Sequence, residues 1–254
     1  MHCAKLMQAM KQVQITTELL KRFRGNPQTV IFEGYCVNFD NVTIYNENDS
    51  YALTVVNHLG VTECCLYTDS TKFIDEALSM LHGRVKLCGV SPFVTDYLQS
   101  RCNFIWLTHC DLYVWNGNPL DLSVIADCEI RPLDFSYVQQ VSDGTPYRAD
   151  LTDVRMCLTK HPSAAVYVDG KAVCWCLLHL EGDLGMLYTV PEYRRQGYAL
   201  KVMTALTQMV IDKGNVPFAY IIEDNVASKN LAVKYNLQYV CPADYFEVDL
   251  GSAK

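Results

Sequence analysis

The stretch that decides the fold is Val190-Pro191-Glu192-Tyr193-Arg194-Arg195-Gln196-Gly197-Tyr198-Ala199. The apolar run 184–190 predicts a buried strand, and the amphipathic segment 198–213 predicts a helix. A strand that turns through a glycine into a helix presents several unbonded backbone N–H groups at the helix start, where the helix dipole also favours an anion. The stretch therefore predicts a binding site for a phosphate or pyrophosphate group.

The turn and the segments that follow it resemble those of a known protein family. The spacing Arg194-x-x-Gly197-x-Ala199 resembles the Q/R-x-x-G-x-G/A signature with which the GNAT superfamily of N-acyltransferases holds the pyrophosphate of coenzyme A. Residues 218–222 read as the next buried strand. Residues 223–231 after it resemble the second CoA-contacting segment of the superfamily, E/D-N-x-x-S-x-x-L.

The second half of the chain, residues 121–254, resembles a complete GNAT domain. Residues 164–168 and 171–180 alternate like two strands joined by an Asp-Gly turn, which predicts a hairpin. Helices are predicted at 134 onward and at 150–159, with strands at 128–133 and 245–250. The resemblance implies a mixed α+β fold with a central, mostly antiparallel sheet flanked by helices.

The first half, residues 1–120, predicts a smaller α+β domain that ends in the turn-forming residues 115–120. Predicted helices lie at 15–23, 70–81 and 91–99, and predicted strands lie at 51–56 and 63–67. In pattern, this order of elements resembles the two-domain acyltransferases of the glycine N-acyltransferase (FR47-like) type. That resemblance implies a degenerate copy of the GNAT fold in the first half.

Composition excludes several classes of protein. The net charge is −7, so we expect the protein to lack the basic face that nucleic-acid binding requires. The start of the chain is polar rather than a signal peptide, and no apolar stretch reaches the ~20 residues that cross a membrane. The 12 cysteines include no Cys-x-x-Cys pair, so we expect reduced thiols in a soluble cytoplasmic protein and no metal site.

The resemblance implies acetyl-CoA or another acyl-CoA as co-substrate. Backbone amides from Arg195 through Ala199 would hold the pyrophosphate, and the Arg194-Arg195 pair could add charge-assisted contacts or lie solvated at the helix start. Residues 187–190 would contact the pantetheine arm, and an amide from 187–189 would polarise the thioester. The residues assigned to CoA are Leu187, Tyr188, Thr189, Val190, Arg194, Arg195, Gln196, Gly197, Tyr198, Ala199, Asn225 and Ser228.

Acyl transfer to an amine also needs a base that removes a proton from the ammonium group. Asp183 is the first candidate, because glycine N-acyltransferase-like sequences place a carboxylate at about the same distance before a similar L/V-P-E-Y-R run. Glu181 is the second candidate and His179, on the neighbouring strand, is a further one. The alternative is that both carboxylates are solvated turn residues.

The acid that protonates the leaving thiolate is the point where the chain departs from the family pattern. Many members have a tyrosine four residues after the serine of the second segment, and this chain has Ala232 there. Tyr235 lies one helical turn further along and is the candidate acid. The alternative is a thiolate that leaves unassisted. Asn225 either contacts CoA or only caps the helix that follows it.

These residues predict an N-acyltransferase that moves an acyl group, acetyl by resemblance, from CoA to the primary amine of a small molecule or an amino acid. Two alternatives stay open. The chain could bind CoA through the same turn without catalysis, as a sensor or assembly module, or it could acylate protein amines. The acidic composition offers no peptide-docking signature in favour of the last alternative.

Overall fold

The structure, a computed structural model, describes residues 10–146 and 148–251. Backbone contacts divide the chain into two compact units, and each is described by itself. The first comprises the residues up to 110 together with those from 241 onward, and the second comprises residues 111–240.

The first unit combines helices with one sheet. Its helices are α1 (Thr17–Gly25), α2 (Val30–Asn38), α3 (Thr71–Ser79) and α4 (Pro92–Gln99). Its strands are β1 (Lys11–Val13), β2 (Thr43–Glu47), β3 (Ser50–Val56), β4 (Thr62–Tyr67) and β5 (Arg84–Val90), joined by parts of β6 (Asn103–Trp115) and β12 (Leu237–Asp249). The strand order is β1-β2-β3-β4-β5-β12-β6. Pairing is antiparallel from β1 to β4 and between β5 and β12, whereas β4 and β5 are parallel.

The elements predicted for the first half are present, with ends shifted by one or two residues at most positions. Ser70 accepts a hydrogen bond from the backbone N–H of Phe73 and so begins α3, and Pro92 occupies the first turn of α4. Helix α2 was not predicted. Its residues are mostly apolar and buried, so the sequence lacks the polar face from which an amphipathic helix is recognised.

The second unit holds the segments that resemble a GNAT domain. Its helices are α5 (Val138–Gly144), α6 (Leu151–Lys160), α7 (Tyr198–Asp212) and α8 (Val226–Lys234). Its strands are β7 (Ile130–Arg131), β8 (Ala164–Val168), β9 (Lys171–Leu178), β10 (Leu184–Thr189) and β11 (Phe218–Ile222). Strands β10-β9-β8-β7 form an antiparallel sheet, and β11 lies beside β6 outside this sheet.

Local chemistry explains the elements predicted in this half. The β8–β9 hairpin closes through Asp169 and Gly170, which both have positive φ, as the Asp-Gly pair predicts. Asp150 caps α6 by accepting hydrogen bonds from the N–H groups of Thr152 and Asp153. The elements predicted at 150–159, 164–168, 184–190 and 218–222 are confirmed.

Helix α7 forms the core of the second unit with the sheet. Val202 and Leu206 on its inner face belong to the same buried cluster as Cys174 and Cys176 of β9. The two thiols therefore act as small core hydrophobes, as their alternate spacing predicts. Among the described helices, none combines the length and hydropathy that crossing a bilayer requires.

The last strand differs from the prediction. The pattern predicts a strand at 245–250 within a domain that runs from 121 to 254, but β12 begins at Leu237, and from residue 241 it belongs to the first unit. The reason is its pairing, because Asp244–Asp249 run antiparallel to Arg84–Val90 of β5. The first strand of the second half is also shorter than predicted, with β7 restricted to Ile130–Arg131. The division into domains at residue 120 stays a prediction.

The core of the second unit gives a test of stability. Leu206 is fully buried and Val233 on α8 is 62% exposed. Leu206→Ala should lower the free energy of unfolding by about 2–5 kcal/mol, because it removes apolar contacts and leaves a cavity. Val233→Ala should change it by less than about 0.5 kcal/mol. Urea denaturation of both variants tests this difference, and equal effects would contradict the assignment of the core.

Candidate functional site

A cleft lies in the second unit between β10 and β11, two strands that follow one another through α7 but belong to different sheets. Its volume is about 170 Å³, which is small beside the roughly 300–1,000 Å³ of pockets for drug-sized ligands. Its walls are mostly apolar. The polar side chains in its walls belong to Thr145, His179, Tyr220, Asn225, Ser228 and Tyr235.

Strand β10 is irregular where it borders the cleft. Its pairing with β9 shifts between Gly185 and Tyr188, and Met186 has a φ of 50°. Such a bulge leaves backbone groups outside the ladder and redirects them. Met186 and Leu187 both line the cleft, so the bulge lies in its wall. Of the residues 187–189 proposed to offer an amide to a thioester, only Leu187 lies within this bulge.

The glycine turn has the predicted strand, turn and helix geometry. The N–H of Val190 still donates to the carbonyl of Val173 at 2.9 Å, so the strand pairing continues to the start of the turn. Gly197 then has a φ of 84° and precedes α7 without any side-chain cap. The first N–H groups of α7, from Tyr198 and Ala199 onward, therefore have no side-chain cap, which is the arrangement that binds anions.

Two side chains of the turn brace it. The Nε of Arg194 donates to the carbonyl of Thr189 at 3.0 Å, and its guanidinium lies 5.8 Å from the centre of the Tyr188 ring. The Nε2 of Gln196 donates to the carbonyl of Glu192 at 3.2 Å. Arg195 is exposed and has a φ of 62°. Arg194 and Gln196 thus shape the turn, while both arginines add positive charge to it.

The side chains of Tyr188 and Thr189 pack within the protein. Tyr188 stacks on Trp175 of β9 with 5.1 Å between ring centroids, and a Cβ atom at Gly144, the last residue of α5, would lie 2.9 Å from its ring. The hydroxyl of Thr189 lies 3.1 Å from the thiol of Cys174. These two residues of the predicted CoA set therefore offer a ligand their backbone more readily than their side chains.

The second segment contributes the opposite wall. The Oδ1 of Asn225 accepts a hydrogen bond from the N–H of Ser228 at 3.1 Å and so caps α8. Both residues also line the cleft. Capping and contact with a ligand are thus compatible at Asn225.

The predicted base Asp183 is buried beneath the cleft wall. Its side chain is 5% exposed, and its Oδ2 lies 2.9 Å from the Nδ1 of His179. It is His179 that lines the cleft, with a side chain that is 23% exposed. Glu181 lies in the turn between β9 and β10 and is not part of the cleft wall. Sequence spacing does not reveal that His179 stands between Asp183 and the cleft. The role of Asp183 as the base stays a prediction.

Tyr235 is the third residue from the predicted catalytic set. It lies at the end of α8, is 4% exposed and lines the cleft. Burial raises the pKa of its phenol well above the ordinary value, and the nearby thiol of Cys176 adds to the effect. The hydroxyl therefore stays protonated at physiological pH. Ala232, at the position where many members of the superfamily have tyrosine, is fully buried.

Comparisons with known proteins agree with this geometry. The FR47-like protein family matches residues 167–240, which include β9, β10, α7, β11 and α8. Human glycine N-acyltransferase-like protein 2 is 32% identical over 80 residues, which make up 31% of this chain and only 26% of that protein.

Solved structures extend the likeness of the fold to both units. A Drosophila protein covers 95% of this chain and 99% of its own at a TM-score of 0.69 and 15% identity. A tandem GNAT protein from the clavulanic acid biosynthesis pathway covers 97% of this chain and 100% of its own, with a TM-score of 0.54 and 10% identity. The chain therefore shares the fold of a tandem GNAT protein, and its residues 167–240 match the FR47-like protein family.

Gly185 gives a test of the packing in the cleft wall. A Cβ atom at this position would lie 1.9 Å from the Cε1 atom of His179, so Gly185→Ala must displace the imidazole. We expect a loss of about 1–3 kcal/mol in the free energy of unfolding, as for other overpacked sites. Gly25→Ala is the control, because a Cβ there has no neighbour within 4 Å. If thermal and urea denaturation give the two variants the same loss of stability, this packing is contradicted.

Proposed function

We propose that the protein is an acyl-CoA-dependent N-acyltransferase that acts on the primary amine of a small molecule or amino acid. Acetyl is the acyl group we propose, because a structure of similar fold is named as an acetyltransferase from the GNAT family. The proposal places the protein in the cytoplasm, where its thiols stay reduced.

The observation that carries this proposal is the start of α7. Gly197 leaves the first turn of a 15-residue helix without a side-chain cap, directly after a strand whose bulge borders a cleft. The dipole of such a helix and its N–H groups favour a pyrophosphate. The positive charges of Arg194 and Arg195 at the same turn act in the same direction. The residues present thus fit the pyrophosphate end of CoA.

The walls of the cleft support the rest of the reaction. A backbone N–H released by the bulge at Met186 and Leu187 would donate a hydrogen bond to the thioester oxygen, on which negative charge develops during attack by the amine. Asn225 and Ser228 would contact the pantetheine arm from the opposite wall.

Tyr235 is the proposed source of the proton for the leaving thiolate. Its phenol stays protonated because burial raises its pKa, and it lies in the cleft wall. It would give its proton to sulfur as the C–S bond breaks and recover one from the nitrogen of the newly formed amide. The alternative, a protein that binds CoA without catalysis, would use the same turn but would consume no acyl-CoA.

The phosphate turn can be tested with two variants of nearly equal shape. Asparagine and aspartate both tolerate positive φ, so either can replace Gly197. A Cβ atom at this position would have no neighbour within 4 Å. Only the aspartate adds negative charge beside the pyrophosphate. The Kd of the aspartate variant for CoA should therefore be at least about tenfold higher than that of the asparagine variant, as measured by calorimetry. Equal affinities in two folded variants would remove the central observation.

Tyr235→Phe tests the acid. Loss of a proton donor typically lowers the rate by ~10²- to 10⁴-fold, so kcat with acetyl-CoA and a panel of amines should fall while the Kd for CoA is unchanged. Tyr239→Phe is the matched control, since Tyr239 is 53% exposed and does not line the cleft. A Tyr235→Phe protein with normal kcat would show that the thiolate leaves unassisted.

A further inference from the structure

We infer that His179 is the group that takes the proton from the acceptor amine, and that Asp183 positions it. The inference rests on the proposed function and names the base of that reaction. It moves the base from the carboxylate that sequence spacing favours to an imidazole that stands between this carboxylate and the cleft.

Access distinguishes the two side chains. His179 lines the cleft, whereas Asp183 does not. The exposed fractions of their side chains are 23% and 5%. A general base must approach the proton that it removes within hydrogen-bonding distance or through one water molecule. His179 meets this requirement from the cleft wall, and Asp183 is covered by the protein.

The turn between β9 and β10 holds the pair in place. The N–H of His179 donates to the carbonyl of Asp183 at 2.9 Å, and the N–H of Gly182 donates to the carbonyl of His179 at the same distance. Gly182 has a φ of 94°, which allows the tight reversal. On the other strand, the missing side chain of Gly185 leaves the space that the imidazole occupies. Backbone bonds and packing thus fix the ring.

The contact with Asp183 also sets the proton positions on the ring. A carboxylate that lies 2.9 Å from Nδ1 accepts a hydrogen bond from an Nδ1–H group. In the neutral imidazole the lone pair is then on Nε2, which is the form that accepts a proton. This is how a carboxylate commonly orients a functional histidine.

Asp183 would stabilise a positive charge on this ring. Its Oδ1 is buried and accepts no hydrogen bond from the described residues, so the carboxylate gains a partner charge when the neighbouring ring becomes an imidazolium. Three titratable groups that interact with Asp183 are neutral near pH 7. Burial raises the pKa of the thiols of Cys157 on α6 and Cys176 on β9, and it lowers the pKa of His161. Glu181, in the same turn, adds negative charge.

Nε2 of His179 takes one proton from the substrate ammonium group, and the freed lone pair of the amine forms the C–N bond with the thioester carbon. The C–S bond breaks, and its electron pair leaves on sulfur. The second proton lost by nitrogen reaches sulfur by way of Tyr235, which gives an amide and a thiol. The imidazolium then releases its proton to solvent.

The experiment combines kinetics with nitrogen-15 NMR of the full chain. His179→Ala should lower kcat by ~10²- to 10⁴-fold while the Kd for CoA stays unchanged. Added imidazole should restore part of the rate, which a merely structural role would not allow. Asp183→Asn should also lower kcat. In this variant the imidazole should lose its preference for the Nδ1–H tautomer, because an amide can donate to Nδ1 whereas a carboxylate cannot.

One variant near the pair serves as a control. His161→Gln removes a half-buried histidine whose Nε2 lies 3.2 Å from the carbonyl of Leu180, and it should retain kcat within a few fold. Glu181→Gln tests the alternative carboxylate base in the same turn. Normal turnover by His179→Ala together with an inactive Asp183→Asn would overturn the inference and make Asp183 the base. A large loss in Glu181→Gln alone would overturn it in favour of Glu181.

Failure of the proposed function gives a different result. In that case the wild-type protein would acylate no amine from any acyl-CoA, or would not bind CoA, whatever residue stands at 179. Failure of the inference requires an active wild type whose rate does not depend on His179. The tautomer measurement needs no turnover, and an Nε2–H tautomer in the wild-type protein would overturn the role of Asp183 by itself.

Discussion

Interruptions of regular backbone hydrogen bonding are the constraint on which the proposed site depends. Most backbone groups inside a folded protein are paired, and leaving them unpaired costs free energy. Here the separation of β10 from β11, the bulge at Met186 and the uncapped start of α7 bring several such positions to one region of the second unit. The proposed ligand, with its many hydrogen-bond acceptors, would pair with the backbone groups at these positions, so the proposed binding follows from the local geometry.

Side-chain packing supplies the rigidity that these backbone positions need. Tyr188 stacks on Trp175, and the guanidinium of Arg194 bonds to the carbonyl that ends β10. The strand is thus fixed on one side by aromatic contacts and at its end by a charged side chain. A site made of backbone groups depends on such support, because a small displacement misaligns every donor at once.

Periodicity and turn chemistry made much of the second unit predictable from sequence. The Asp169-Gly170 hairpin, the glycine before α7 and the cap at Asn225 each follow from residues next to one another in the chain. Features that depend on tertiary contacts were not predicted. Helix α2 carries no amphipathic signal, and the partner of β12 lies more than 150 residues away in sequence, as Asp249 opposite Arg84 shows. Likewise, the spacing that favours Asp183 says nothing of its burial behind His179.

The pairing of β12 with β5 has a consequence for biosynthesis. On a ribosome, residues 84–90 emerge long before their neighbours at 244–249, and the whole second unit is made in the interval. During that time β5 has an open edge of unpaired N–H and C=O groups, the kind of surface on which chains aggregate. Pairing across so large a sequence separation is also intrinsically slow. The first unit can therefore complete its sheet only after the second has been synthesised, and the nascent chain is most dependent on chaperones in that interval.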